Sequence, residues 1–169
     1  MPETSYLERL RKEITKEWGE GVFESASKII DTPKEIIPWT PNLDLGLGGG
    51  IPSGSTVLLA SKPKHGKTTL ALSLCATAQQ EKYGSRIVFF ADTEHRLKAM
   101  NLQSIHGLDY TDKFIHIHSS KNRILTAEDF LNMLEKIIKS HPKSVIILDS
   151  ASMLCPEKEL NEAITGSTR

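Results

Sequence analysis

The chain has 169 residues, of which 38% are hydrophobic and 25% charged, with 21 basic and 21 acidic side chains and no formal net charge. This length supports one folded unit with a hydrophobic core, and no apolar run approaches the roughly 18 residues that suggest a membrane span. The balanced charge argues against general electrostatic binding of DNA, although a local basic stripe is compatible with it.

The N-terminal residues and the two cysteines indicate the cellular compartment of the protein. The first residues lack the basic and apolar segments of a secretory signal. Cys75 and Cys155 lie beside apolar residues and show no C-x-x-C spacing, so we expect both to be buried, reduced thiols. These features predict a cytoplasmic protein.

The N-terminal region is predicted to form an amphipathic helix from Ser5 to Trp18. Ser5 and Glu8 form a capping-box pattern, and Gly19 is placed to end the helix. Its apolar face would comprise Leu7, Leu10, Ile14 and Trp18. The helix either packs on its own domain or docks on a neighbouring subunit. Because residues 19–30 resemble a flexible connector, we expect residues 1–30 to form a helix and linker and residues 31–169 to form the core.

The core region predicts an α/β fold. Residues 32–54 are rich in proline and glycine, so helix is unlikely there. Apolar strands are predicted at residues 55–60, 86–92, 113–118 and 144–149, and helices at residues 68–80, at 96–107 and from Thr126 to His141. This alternation predicts a mainly parallel sheet flanked by helices, with ligands at the carboxyl ends of the strands.

The segment between the first apolar strand and its helix reads Ser-Lys-Pro-Lys-His-Gly-Lys-Thr. A tight loop that leads into a helix presents free N–H groups and a positive dipole end, which together bind phosphate. In this reading Lys67 reaches the terminal phosphates and the Thr68 hydroxyl ligates Mg²⁺. The alternative is an ordinary strand-turn-helix junction. The residues predicted to contact the nucleotide are Ser61, Lys62, Pro63, Lys64, His65, Gly66, Lys67, Thr68 and Thr69.

Two acidic residues follow later strands. Asp149 ends an apolar strand and is predicted to hold the water shell of Mg²⁺, with Ser150 beside it; the alternative is a simple turn cap. Glu94 follows the strand at residues 86–92 and is predicted to orient or deprotonate the attacking water. Asp92 is the competing candidate, and either residue would also suit a helix N-cap.

His116 and His118 alternate with isoleucine, so both are predicted on one face of a strand. Two histidines are compatible with a metal site, but no cysteine or third histidine completes a set. The pattern favours a semi-exposed strand face.

From about Pro38 to Thr168 the chain resembles the RecA family of strand-exchange recombinases, including its phage-encoded branch. The resemblance lies in Thr40–Gly46 with Gly48–Gly54, the phosphate loop, Ala91–His95 and Val145–Leu154. It implies a RecA-like P-loop NTPase core that uses ATP and Mg²⁺. Carried over by position, Lys67 and Thr68 bind phosphate and Mg²⁺, Glu94 is the catalytic glutamate, and Asp149 with Ser150 forms the second acidic motif.

The resemblance also implies partners and departures. The N-terminal helix resembles the arm through which such protomers form filaments on single-stranded DNA for pairing with a homologous duplex. Ser61 replaces a loop glycine, and Asn101 stands where a tyrosine that stacks on adenine is expected. In the family, two DNA-binding loops, a sensor glutamine and further strands follow the second acidic motif, and one of those strands lies between the phosphate-loop strand and the Asp149 strand. Residues 162–169 would be only the start of the first loop.

We therefore expect a gap in the sheet, in an N-terminal part of a larger recombinase or one half of a split protein. Two other functions remain open. One is a nucleotide-binding assembly module that does not hydrolyse ATP, and the other is a hexameric ATPase domain of the helicase or clock type.

Overall fold

The computed structural model describes residues 3–27 and 35–165. They belong to two compact units, one within residues 1–34 and the other within residues 35–169. The predicted boundary between linker and core, at residues 30 and 31, lies outside the described residues. Within residues 3–27 and 35–165, no helix has the length and apolar character needed to cross a bilayer.

The structure alternates helices and strands in the second unit. Helix α1 Glu3–Trp18 lies in the first unit, and the α-helices among the described residues of the second unit are α2 Pro41–Leu47, α3 Lys67–Ala78, α4 Ala99–Gln103, α5 Ala127–Ser140 and α6 Glu157–Thr165. The strands are β1 Ile36–Ile37, β2 Ile51–Pro52, β3 Val88–Asp92, β4 Phe114–Ile117 and β5 Val145–Asp149.

Helix α1 lies in the first unit. It begins at Glu3, so the predicted capping box is wrong and Ser5 lies inside the first turn. Its end was predicted correctly. Gly19 has φ +98° and donates its N–H to the carbonyl of Thr15 at 2.9 Å. Leu7 and Trp18 on the apolar stripe are largely exposed.

The proline- and glycine-rich region contains a helix that we did not expect. Helix α2 forms because Pro41 takes its first turn, where the missing N–H costs no hydrogen bond. The carboxylate of Asp44 accepts the N–H of Trp39 at 2.7 Å, and Gly48 ends the helix with φ +71°. Helix-breaking residues here act as start and stop signals.

Trp39 connects this region to the helix that follows the phosphate loop. Its indole N–H donates to the carbonyl of Leu70 at 2.7 Å and lies 3.2 Å from the hydroxyl of Ser73. The polar edge of the ring is thereby satisfied by groups of α3. The start of the core is held against α3 by this contact.

The central sheet has three parallel strands in the order β4-β3-β5. Val88 is in register with Phe114 and with Val145, and Asp92 is in register with Asp149. The carboxyl ends of β3 and β5 therefore meet at one edge of the sheet.

Helices cover both faces of this sheet, as predicted. Helix α3 packs on one face through Leu72, Cys75 and Ala76, against Val88 and Phe90. Helix α5 packs on the other face through a cluster that includes Ala91, Phe130 and Leu134. Helix α5 also has the predicted cap, because Thr126 Oγ1 accepts the N–H of Asp129 at 3.2 Å.

The predicted strand at residues 55–60 is absent from the sheet. This segment joins no ladder in the part of the chain that the structure describes, and Leu58 is 85% exposed. A strand needs a neighbouring backbone to pair with, and β5 pairs only with β3 among the described residues. The absence of a ladder between residues 55–60 and β5 agrees with the predicted gap in the sheet.

Two further expectations are corrected. Cys75 is buried, but Cys155 is exposed, and both thiols are free. Helix α4 is shorter than the predicted 96–107, because the Asp92 carboxylate accepts the N–H groups of Arg96 and Leu97 and holds them in a turn.

Candidate nucleotide site

The loop before α3 contains two residues in the left-handed conformation. Gly66 precedes the helix with φ +81°, and Lys64 also adopts a left-handed conformation, with φ +65°. Helix α3 begins at Lys67, so its N-terminal amides and positive dipole end lie beside the loop. The other predicted loop contacts, Pro63, His65 and Thr69, are exposed.

Lys67 folds back over the start of the loop. Its ammonium donates to the carbonyl oxygens of Ser61 at 3.2 Å and Lys62 at 3.4 Å. The Ser61 hydroxyl donates to the carbonyl of Lys62 at 3.1 Å. Serine at the first loop position therefore keeps its carbonyl available to Lys67, although the motif prefers glycine there.

Thr68 and Asp149 lie side by side. The Thr68 hydroxyl donates to Oδ2 of Asp149 at 2.7 Å, which joins the first turn of α3 to the end of β5. A hydroxyl and a carboxylate are hard oxygen ligands of the kind that Mg²⁺ prefers. These residues fit Mg²⁺ bound together with a nucleotide.

Glu94 lies at the same edge and uses both carboxylate oxygens. Oε1 accepts the hydroxyl of Ser150 at 2.9 Å, and Oε2 pairs with Arg96 Nη1 at 2.9 Å. The Ser150 hydroxyl is also 2.8 Å from that of Ser152. The structure thus brings Glu94 and Ser150 together, and it adds Arg96 and Ser152, which the sequence reasoning missed.

Thr93 was also missed. Its hydroxyl contacts both backbone groups of Ser150, and its N–H donates to the carbonyl of Asp149 at 2.9 Å. The sequence carries no signal for these contacts, because they join Thr93 to residues that lie far away along the chain, 57 positions in the case of Ser150.

Asp92, the competing candidate for the base, is engaged elsewhere. Its side chain is buried and accepts the N–H of Arg96 at 3.2 Å and of Leu97 at 3.0 Å. Burial raises the pKa of Asp92, but these amides and His116 Nε2, 3.2 Å away, outweigh burial and hold the pKa below its usual value. Asp92 therefore stabilises the turn that carries Glu94.

The histidines form an exposed group, as expected for a strand face. The rings of His116 and His118 have centroids 4.4 Å apart, and His95 lies 6.0 Å from His118. His95 is the third histidine that the sequence reasoning did not place here. Within the described residues, no group of three or more histidine, cysteine or acidic side chains is arranged to hold a metal ion.

Asn101, at the position expected to stack on adenine, acts locally instead. Its side-chain oxygen accepts the N–H of Lys98 at 2.9 Å and caps α4. The structure thus gives Asn101 a helix-capping contact.

Comparison with known proteins shows which family and which proteins this chain is similar to. The family described as the RecA N-terminal domain matches residues 6–168. This chain belongs to the RecA family. It is 32% identical over 156 residues to Protein RecA of Thermus aquaticus, covering 91% of this chain and 43% of that protein. It is 33% identical over 159 residues to Protein RecA of Nautilia profundicola, covering 91% and 42% respectively.

A eukaryotic relative shows the same pattern. The mitochondrial DNA repair protein recA homolog of Dictyostelium discoideum is 32% identical over 157 residues, covering 91% of this chain and 32% of that protein. The RecA-family chain therefore spans less than half the length of these curated relatives.

Proposed function

We propose that this RecA-family chain belongs to an ATP- and Mg²⁺-dependent DNA recombinase that acts in the cytoplasm. It binds ATP through residues 61–69 and hydrolyses it with the help of Glu94. Through α1 it assembles into filaments on single-stranded DNA, which pair with a homologous duplex. The names of its relatives, Protein RecA and a DNA repair protein, support this proposal.

The observation that carries the proposal is the convergence of three sequence motifs at one sheet edge. Thr68 contacts Asp149, and Ser150 contacts Glu94, although each pair joins distant parts of the chain. In a P-loop nucleotide site the loop serine or threonine and the strand-end aspartate hold Mg²⁺ together, so the contact of Thr68 with Asp149 supports the proposal.

The proposed reaction is an attack of water on the γ-phosphorus of ATP. The new bond forms between the water oxygen and phosphorus, and the bond to the β–γ bridging oxygen breaks, which releases ADP. Glu94 accepts a proton from the water, while Lys67 and the loop amides stabilise negative charge on the phosphoryl oxygens. Mg²⁺, when bound, neutralises charge on the β- and γ-phosphates.

Turnover of ATP with and without single-stranded DNA tests the proposal. We expect Lys67→Ala to abolish nucleotide binding or turnover. Glu94→Gln should keep binding and lower turnover by about 10²- to 10⁴-fold. Lys143→Ala is the matched control, because Lys143 precedes β5 at the opposite end of the strand from Asp149. Unchanged DNA-stimulated turnover in Lys67→Ala would refute the assignment.

Assembly requires a separate experiment. Leu7 on α1 is 55% exposed, so Leu7→Glu should prevent filaments on single-stranded DNA in negative-stain micrographs. Glu13→Gln, a change on the polar side of the helix, is the control. Hexameric rings in place of filaments would favour a helicase- or clock-type ATPase.

A second function is favoured by the exposed segment at residues 55–60. Because that segment has no ladder in the described part of the chain, the phosphate loop is anchored on one side only, by α3. A module of this kind would bind nucleotide and assemble without hydrolysis. It predicts that ATP raises the melting temperature while phosphate release stays at background.

A further inference from the structure

Thr93 occupies an unusual position between the two acidic motifs. It follows the last residue of β3, and its side chain points toward the first residue after β5. The hydroxyl donates to the carbonyl of Ser150 at 2.8 Å and accepts the N–H of Ser150 at 2.8 Å. One side chain thus satisfies both backbone groups of a residue on the neighbouring strand end.

These contacts continue the β3–β5 pairing beyond the ladder. The last ladder pair is Asp92 with Asp149, and the N–H of Thr93 then donates to the carbonyl of Asp149. One step further, where the chains diverge, the threonine hydroxyl contacts both backbone groups of Ser150, whose carbonyl also accepts the N–H of Met153 at 3.1 Å. Buried or half-buried backbone groups need such partners, so the contact orders Ser150.

The contacts of Thr93 reach both Glu94 and Thr68 of the candidate site, through Ser150 and Asp149 respectively. The Ser150 hydroxyl donates to Glu94 Oε1, which fixes one oxygen of the candidate base. Asp149, whose backbone Thr93 also contacts, accepts the hydroxyl of Thr68. In the described part of the chain, Thr93 hydrogen-bonds to Ser150 and Asp149 and not to the phosphate loop, so its influence on the loop passes through these neighbours.

We propose that Thr93 is a positioning residue, which holds Glu94, Ser150 and Asp149 in one arrangement. This proposal rests on the proposed function, since it assigns Thr93 a role in orienting the residue that activates water. A hydroxyl is required because the same atom donates one hydrogen bond and accepts another. Valine has the same shape without that ability, and serine has the ability with less bulk.

The test compares Thr93→Val and Thr93→Ser with the wild-type chain in steady-state ATP turnover. Because small displacements of catalytic groups are costly, we expect Thr93→Val to lower kcat by about 10- to 100-fold while KM changes by less than about threefold. Thr93→Ser should restore kcat to within about threefold of wild type. Thr77→Val is the control, since among the described residues Thr77 Oγ1 hydrogen-bonds within its own helix, to the carbonyl of Ser73.

A second measurement separates this proposal from the proposed function. The Ser150 N–H is protected by Thr93 Oγ1, so its hydrogen exchange should be at least about tenfold faster in Thr93→Val than in wild type or Thr93→Ser. If wild type shows no turnover but this exchange difference is present, the proposed function fails and the positioning contact stands. An unchanged exchange rate at Ser150, or an equal loss of kcat in Thr77→Val and Thr93→Val, overturns the proposal.

Discussion

Thr68 Oγ1 and Asp149 Oδ2 lie 2.7 Å apart, although 81 positions separate them in the chain. This contact joins the phosphate-loop helix to the strand that ends in the second acidic motif. Removal of the hydroxyl leaves the Asp149 carboxylate without its partner and removes one predicted Mg²⁺ ligand.

We therefore predict that Thr68→Val loses the part of ATP stabilisation that depends on Mg²⁺. A ligand at 100 times its Kd stabilises a fold by about 2.7 kcal/mol, so the shift in melting temperature is measurable. Thermal unfolding with ATP, with and without Mg²⁺, checks this. Thr68→Ser should behave like wild type. A full Mg²⁺-dependent shift in Thr68→Val would mean that the hydroxyl is no ligand.

The Asp92 carboxylate predicts that the unfolding free energy depends on pH in the acidic range. Burial raises the pKa of this carboxylate, but hydrogen bonds from the Leu97 and Arg96 amides and from His116 lower the pKa by more. A group with a lowered folded-state pKa contributes stability above its unfolded pKa, about 3.9 for aspartate. That contribution disappears as the pH falls through the folded-state value.

Asp92→Asn should therefore cost about 1–3 kcal/mol of unfolding free energy at neutral pH, because the charged acceptor is lost. The difference from wild type should shrink below about pH 3.9. Urea unfolding across this pH range measures both values. Asp112→Asn, at an exposed position, is the control. A difference that stays constant down to strongly acidic pH would contradict this account of Asp92.

Local patterns predicted most of the fold because they depend on nearby residues. The three sheet strands are short apolar runs, and the cap of α5 is readable from Thr126 and Asp129. The phosphate-loop motif and the two strand-end carboxylates could also be placed, since parallel strands end at one edge of a sheet. The order of strands within the sheet was not readable in this way.

The failures have physical causes of three kinds. Residues 55–60 are as apolar as a strand, but pairing requires a neighbour that the residue pattern alone does not show. Thr93 and His95 make contacts that depend on the turn after β3, where His95 has φ +54°. Helix α2 was missed for a different reason, because Pro41 and Gly48 were read as breakers when they are start and stop residues.

The close approach of the Ile37 backbone to Gly50 predicts that a side chain at position 50 destabilises the fold. Gly50 precedes β2 with φ +139°, and a Cβ at this position would lie 2.3 Å from the carbonyl oxygen of Ile37. No flexible side chain is involved, so the backbone of β1 would have to move. We predict that Gly50→Ala lowers the unfolding free energy by about 2 kcal/mol or more.

The matched control for Gly50 is Gly46→Ala. Gly46 lies inside α2, and a Cβ there would meet nothing within 4 Å. Alanine favours helix over glycine by up to about 1 kcal/mol, so this variant should be neutral or more stable. Chemical denaturation of both variants decides the matter, and equal effects would show that the approach to Ile37 is unimportant.

The two cysteines predict different thiol reactivity. Cys75 is buried against the sheet, and burial raises its pKa to about 12, so almost no reactive thiolate forms near neutral pH. Cys155 is exposed beside Pro156, before α6. Under native conditions, we therefore expect a thiol reagent to label Cys155 rapidly and Cys75 only at the rate of unfolding. Intact-mass spectrometry over time gives both rates, and Cys155→Ser should remove the fast phase alone. Rapid labelling of both thiols in the native chain would show that α3 separates from the sheet without global unfolding.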